Sequence, residues 1–420
     1  MKKQDWVYAT TGRIRPNGCT GTPFFSRTAK LCAKNLYFNW DLHHMVLEFD
    51  DFNKELAAIR QGVAMADMSP LAKTEVRGAD AEQLVQKIVV RDVSKLKPGQ
   101  VYFTPWCNAE GKVITDGLVF RMSENAFRFT SDPTIEWFKQ NAVGLDVEIT
   151  DVSDNFAILT VQGPSALDLI NSVTAQDWSH LDFSRMISTR LSGIDIHVAR
   201  TGFTGELGYE IHVESEFAAS LWDQFYNSGQ KFGVIPAGSH ACDIARVEAG
   251  LLITGCDYAN GGPDPSGSHT IAGTDRKYLA SPYELNMGHF VDLTKPDFVG
   301  KDILAEERKT GPKHKLMGLE VDWRLLTEYI VELGIAPTIS PMVGWVPMQL
   351  YGENRLIGWA SSATWAPTIN KLIAFGHLEA EWGQVNRVVE IEWETRAGKT
   401  VRAPAKIVRL PFIDIKRQAG

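Results

Sequence analysis

Residues 194–213, IDIHVARTGFTGELGYEIHV, constrain the fold more than any other stretch of the chain. The flanks, IDIHVAR and YEIHVE, alternate apolar and polar residues with the period of two that marks a half-buried strand. Between them lies TGFTGELG, with glycines at 202, 205 and 208. That spacing is neither GxGxxG nor a GxxxxGK loop, and a strand follows it. A phosphate loop needs a helix N-terminus at that point to present its amides. Two strands joined by a glycine-rich bend form a hairpin. The bend keeps the hydroxyls of Thr201 and Thr204 and the carboxylate of Glu206 among glycines that admit close backbone approach. A carboxylate accepts two parallel N–H donors, which suits the edge of a flat heterocycle. A solvated glutamate on a turn is the other reading of the same residues.

The rest of the chain reads as α+β. Residues 1–45 show no clean period and are expected to form an irregular arm. A helix is predicted from Phe52, with Leu56, Ile59 and Val63 at helical spacing, and a strand at KTEVRG. ADAEQLVQKIV predicts a second helix. The run KPGQVYFTPWCNAEGKVITDGLVFRM predicts strand, turn and strand, with the turn at Asn108 to Gly111. Helix and antiparallel ribbon in this order argue against a parallel doubly wound sheet. FAILTVQG and PSALDLINSV repeat the strand and helix pattern, and SEFAASLWDQFYNSGQKFG and HACDIARVEAGLL add two more helices. Residues 258–276 are rich in Gly, Pro, Ser and Asp and read as a long loop. Beyond residue 311, β-like runs such as KLMGLEVDW, LIAFGHLEA and RVVEIEW predict a small terminal barrel. The expected organisation is an arm over 1–50, an α+β core of two intertwined subdomains over 51–310, and a β-barrel-like unit over 311–420.

Composition narrows the function classes. The chain has 420 residues, 44% hydrophobic and 22% charged, with a formal net charge of −8 and no long block of one sign. This balance disfavours nucleic-acid and membrane-surface roles. The N-terminus lacks the apolar core of a secretory signal. The longest uncharged stretch, residues 333–352, carries prolines and glycines and does not read as a membrane span. Five cysteines without a CxxC pair fit a reducing cytoplasm and no metal site.

Asp116 stands on the strand leaving the NAEG turn, between apolar neighbours, as a partnered structural carboxylate or a site group. Taken together, TGFTGELGYEI, NAEGKVITDGL, ARVEAGL with GCDY, SPYELNMGHFVDL with PDFVGKDIL, and SSATWAP, LIAFGHLE and APAKIVRLPF occur in the order seen in the aminomethyltransferase superfamily. The chain resembles that superfamily from about residue 45 to its end. The superfamily holds the glycine cleavage T-protein, folate domains of sarcosine and dimethylglycine oxidising enzymes, and tetrahydrofolate-dependent demethylases.

The resemblance implies a three-domain cloverleaf with tetrahydrofolate in a central funnel. It implies that Glu206 binds the pteridine, that Asp116 lies near the reacting folate nitrogens, and that Phe203 lies against the ring. Arg246, in the phrase matching LRLEAG, and Trp365, in SSATWAP, are expected at the folate site. His43, His44, Cys242, Tyr283 and His289 are candidates for contacts to the donor. Cys242 stands where the T-protein has an arginine, and Pro70 and Leu71 replace the His and Met of its DVSHMG. These departures argue against docking of a carrier protein. They favour a cytoplasmic demethylase that moves a methyl group from a small O-, S- or N-methylated donor to N5 of tetrahydrofolate. Aminomethyl or methylene transfer giving 5,10-methylenetetrahydrofolate is the alternative within enzymes. A non-enzymatic folate-binding protein is a third reading, and its KGCYxGQE phrase does not occur here.

Overall fold

The computed structural model describes residues 20–40, 43–262, 275–338 and 340–416. Its first elements are β1 (Thr20–Gly21), α1 (Phe25–Leu31), β2 (Leu36–Trp40) and β3 (His43–Glu48), the strands forming a small sheet. The part of the expected arm that is described is thus ordered, with β2 and β3 as an antiparallel pair. Aromatics on both faces mask its period. Phe38 is buried on one side, while Tyr37 stacks on His44 at 5.0 Å on the other.

α2 (Phe52–Gln61) begins where the Asp51 side chain accepts a hydrogen bond from the Asn53 amide, and Leu56 and Ile59 turn to the core. β4 (Ala64–Asp67), β5 (Ala72–Arg77), α3 (Ala81–Ile88), β6 (Val101–Cys107), β7 (Val113–Ser123), β8 (Ala126–Ser131), α4 (Ile135–Asn141) and β9 (Glu148–Asp151) follow. Next come β10 (Phe156–Gln162), α5 (Ala166–Thr174), β11 (Met186–Leu191), β12 (Ile194–Ala199), β13 (Gly208–Glu214), α6 (Ala218–Gly229) and β14 (Ile235–Pro236). These strands make two sheets, ordered β6-β7-β8-β5-β9 and β11-β12-β13-β10-β4-β14. The chain lays β4 into the second sheet, leaves to build the first, and returns at β10, so the two units are interleaved.

Side-chain alternation gives the second sheet two faces. Val161, Leu159, Tyr209, Ile211 and Val213 pack with Leu221 and Trp222 of α6 in one core cluster. On the opposite face, register places Thr160 beside both Ala66 and Glu210, and Ile158 beside His212. That polar face carries the site.

α7 (Ser239–Glu248) is buried from His240 to Glu248 and serves as a central strut. α8 (Lys301–Thr310), β15 (His314–Val321), α9 (Trp323–Glu332), β16 (Met348–Gly352), β17 (Arg355–Ala366), β18 (Lys371–Glu379), β19 (Val388–Glu394) and β20 (Thr400–Val408) complete the chain. The last six strands close into a barrel in the order β15-β18-β17-β16-β19-β20. The fold is α+β with a terminal barrel, as the sequence predicts. α9 is an addition to that expectation: Asp322 caps it, and Leu326 and Ile330 plug into the barrel core. Among the described residues no helix is long and apolar enough to cross a membrane. Most of the 258–276 segment lies outside the described residues.

Candidate active site

A cavity with about 920 Å³ of atom-free space, mouth included, opens at the centre of the molecule. Phe38, Trp40 and Met45 of the β2–β3 hairpin form one wall, and Asp67, Phe203, His240 and Trp345 contribute others. Asp67 accepts hydrogen bonds from Thr22 Oγ1 at 2.5 Å and from the Ser69 amide at 2.9 Å. Burial pushes its carboxyl above the usual range. The His240 ring rests on Phe52 at 4.3 Å, with Nε2 2.8 Å from the Pro341 carbonyl. Cys242 also lines the wall, and burial pushes its thiol up to about 12, so it stays protonated at neutral pH.

The opening motif joins β12 to β13 as the hairpin that the alternating flanks predict. Its glycines have a local reason. A Cβ at Gly202 would lie 2.2 Å from Gln162 Oε1, and one at Gly208 would lie 2.1 Å from Gln162 Nε2. The glutamine amide is wedged between the two, accepting from Thr204 Oγ1 at 2.9 Å and donating to Thr160 Oγ1 at 2.7 Å. Phe203 and Thr204 then face a side chamber of the cavity with Thr160 and Cys242.

The two glutamates of TGFTGELGYEI sit in different surroundings. Glu206 is 2% exposed, with Oε1 3.3 Å from Arg60 Nη1 and Oε2 3.9 Å from Lys416 Nζ. Arg60 in turn donates to Glu248 Oε2 at 2.8 Å and to the Thr204 carbonyl at 2.6 Å. Glu248 also accepts from Thr368 Oγ1 at 2.7 Å. Glu206 thus belongs to an ion cluster that ties α2, α7 and the motif to the barrel; neither it nor Glu210 lines a chamber. Glu210 stands on the polar face beside Thr160. Its Oε2 has no hydrogen-bond partner among the described residues. Burial pushes its carboxyl up to about 7, with the Thr201 hydroxyl opposing.

Asp116 lies on β7, half-buried, and accepts a hydrogen bond from the Tyr258 hydroxyl. Tyr258 and Thr254 are 2.7 Å apart, and Thr254 meets Thr115 at 2.8 Å. Burial pushes Asp116 up to about 7, and the charges of Asp132 and Asp257 add to the shift. Arg246 supports the loop beneath. It is fully buried and holds Asp257 at 2.6 Å, Asp243 at 2.7 Å and Ser362 at 2.7 Å. Trp345 Nε1 donates to Asp243 at 2.8 Å, joining this network to the cavity wall.

The other expected residues lie apart from the chambers. Trp365 packs edge-on against Trp323 of α9, 5.8 Å between rings. Tyr283 packs over Gly288, and His289 is exposed beside Phe290. His43 and His44 begin β3, and His44 Nδ1 is 2.6 Å from Asn39 Oδ1. Sequence reasoning missed Asp67, His240, Trp345, Gln162, Tyr258 and Glu210. For Glu210 a signal was present: in YEIHVE the period of two puts Glu210 and His212 on the face opposite Tyr209, Ile211 and Val213. Among the described residues no group of three or more His, Cys, Asp or Glu has the arrangement to hold a metal ion.

Two interleaved sheets and a closed six-stranded terminal barrel define the architecture, and comparison with known proteins places it among the one-carbon transferases. The GCVT N-terminal domain model matches residues 29–261, and the glycine cleavage T-protein C-terminal barrel domain model matches 330–414. The chain belongs to the glycine cleavage T-protein family of aminomethyltransferases. It is 30% identical to the aminomethyltransferase of Bacillus subtilis over 399 residues, 93% of this chain and 98% of the relative. It is also 30% identical to that of Halalkalibacterium halodurans over 398 residues, covering 93% and 97%. The crystal structure of glycine cleavage system aminomethyltransferase T from Bartonella henselae superposes with a TM-score of 0.77 at 20% identity, covering 95% and 99%. The chain is an enzyme of one-carbon transfer, and its family uses tetrahydrofolate.

Proposed function

We propose that the enzyme moves the carbon of a carrier-bound aminomethyl group onto tetrahydrofolate, forming 5,10-methylenetetrahydrofolate and releasing ammonia and the protonated carrier group. Relatives named for aminomethyl transfer, matched over nearly their whole length, support this product over direct methyl transfer. The observation that supports the site assignment is the charge setting of Glu210: Oε2 of both glutamates lacks a hydrogen-bond partner among the described residues, yet Glu206 faces Arg60 at 3.3 Å while Glu210 faces the neutral His212 at 3.8 Å. A pterin edge presents adjacent N–H donors, and a carboxylate in that position accepts both. Glu210 therefore takes the pterin-binding role that the resemblance assigns to Glu206, whose Oε1 already faces Arg60. Phe203 supplies a ring face. Asp116 stands beside the reacting nitrogens, where its ionised form stabilises the positive charge that develops on them. Arg246 and Trp365 belong to the frame: the first fixes the loop under Asp116, the second packs in the barrel.

The enzyme's contribution is then orientation, since acceptor and donor held together react as one unit. The donor meets the hairpin wall. The lining of the main chamber includes Asp67 and Asp243 and no lysine or arginine, with Trp40, Phe38 and Trp345 around them. Aromatic faces favour a cationic donor. That observation keeps a second reading open, transfer of a methyl group from a small ammonium or sulfonium compound, with Cys242 replacing the arginine of the family phrase.

Purified protein incubated with tetrahydrofolate and a panel of aminomethyl, N-methyl, S-methyl and O-methyl donors separates the readings when folate products are resolved by mass. 5,10-Methylenetetrahydrofolate is the expected product. 5-Methyltetrahydrofolate as the sole product would overturn aminomethyl transfer in favour of the methyl reading.

A further inference from the structure

A groove lies between the outer ends of the two sheets, with about 1120 Å³ of atom-free space, open mouth included. It shares no lining residue with the central chambers. Arg128 forms its floor at 3% exposure, its guanidinium 3.8 Å above the Phe156 ring. Nε and Nη2 donate to Glu75 Oε1 at 2.9 and 2.6 Å, while Nη1 is buried with no hydrogen-bond partner among the described residues. His212, 2% exposed, meets Phe120 edge-on at 5.1 Å, and its Nε2 also lacks a hydrogen-bond partner. The carboxylate recorded nearest to that nitrogen, Glu210 Oε2, is 3.8 Å away. Burial, with the charges of Arg128 and Lys73, keeps His212 neutral. His197, paired across the sheet with His212, places Nδ1 2.7 Å from Ser188 Oγ.

A buried donor left unsatisfied carries a desolvation penalty that nothing offsets, and this groove holds two such donors in the protein alone. Glu75 is shared by Arg128 at 2.6 Å and Arg77 at 2.7 Å, Arg190 is matched by Asp195 at 2.6 Å, and with Glu214 the formal charges around the groove balance.

We propose that this groove is a second binding site for a small planar carboxylate, distinct from the folate site but adjoining it where His212 meets Glu210. One carboxylate oxygen accepts from Arg128 Nη1 and the other from His212 Nε2, while the ligand body lies against Met122 and Ile196. One guanidinium N–H and one neutral imidazole N–H, in a groove whose formal charges balance, suit a monoanion better than a dianion, whose second charge would find no partner.

Benzoate is the probe. Calorimetric titration into the full chain is expected to show saturable binding at one site, with the His197 and His212 ring-proton resonances shifting along the same curve. His212→Phe, which removes the donor without stranding a charge, is expected to weaken binding at least about tenfold. Arg128→Gln is expected to weaken it as much, and where that variant fails to fold because Glu75 is stranded, His212→Phe decides alone. No saturation, unmoved histidine resonances or unchanged affinity in His212→Phe would overturn the site. Displacement of benzoate by tetrahydrofolate would overturn its separateness. Tighter binding of phenyl phosphate than benzoate would overturn the monoanion class.

Discussion

Glu206 and Glu210 leave the same hairpin four residues apart, and each is almost wholly withdrawn from water. Around Glu206 every element brings a charge or a hydrogen bond: Arg60 from α2, Lys416 from the terminal segment, and Glu248 beyond them. Around Glu210 the strand face offers Thr160, Thr201 and a neutral histidine. A buried carboxylate with a fixed cation is part of the frame, because its desolvation is offset at home. A buried carboxylate without one is held part-protonated near neutrality, and a ligand with N–H donors relieves it.

The largest expected effect falls on the frame. Arg60→Ala leaves Glu206 and Glu248 uncompensated and is expected to cost about 3–5 kcal/mol of folding stability, measured by urea denaturation. A loss below about 1 kcal/mol would erase the distinction between the two glutamates. Next, Glu210→Gln is expected to weaken tetrahydrofolate binding by about 2–3 kcal/mol, through loss of a charge-assisted acceptor, with Glu206→Gln close to wild type in the same titration. The reverse order would return the pterin to Glu206.

Asp116 gives a pH signature. Its carboxyl rises from the usual 3.8 to about 7 on folding, so between those values the folded chain holds a proton that the unfolded chain has released. Stability contributed by Asp116 is therefore lost as pH climbs from about 4 to 7, and Asp116→Asn should flatten that part of the profile. The transfer rate of the wild type should rise through pH 7 as Asp116 ionises, and the asparagine variant should lose both rate and slope. A rate profile that keeps its slope in Asp116→Asn would assign the ionisation elsewhere. Phe203→Leu is expected to cost about 0.5–1.5 kcal/mol of folate affinity, read from the same titrations. Smallest of all, His289→Ala on the exposed turn should change stability and turnover by less than about 0.5 kcal/mol, and a tenfold loss of rate would bring that turn into the donor site.

Much of the fold was legible where periodicity is clean. α2, α3, the β6–β7 ribbon and the β12–β13 hairpin follow from spacing and turn residues. The β2–β3 hairpin was not, because Tyr37, Phe38 and Trp40 place aromatics on both faces and erase the alternation. α9 was missed because a terminal region dense in β-branched and aromatic runs reads as strand throughout, while Asp322 and the spacing of Leu326 and Ile330 carry the helical signal. For the site, family phrases led to the hairpin and to Glu206, and the structure adds Glu210 as a second buried glutamate on the strand that follows. Which of two carboxylates meets a cation depends on Arg60, 146 positions earlier, and no local pattern reports such a pairing. Asp67 and His240 are visible only once the β2–β3 hairpin folds over them.

α7 has a consequence for how the molecule comes apart. Arg246 reaches Ser362 in the barrel, Glu248 reaches Thr368, and Arg60 of α2 grips the same helix through Glu248. No lobe can melt while the others keep their shape, because each would abandon ionic groups in the shared strut. A heating curve of the whole chain is therefore expected to show a single endotherm, and two resolved transitions would show that the barrel melts apart from the sheets.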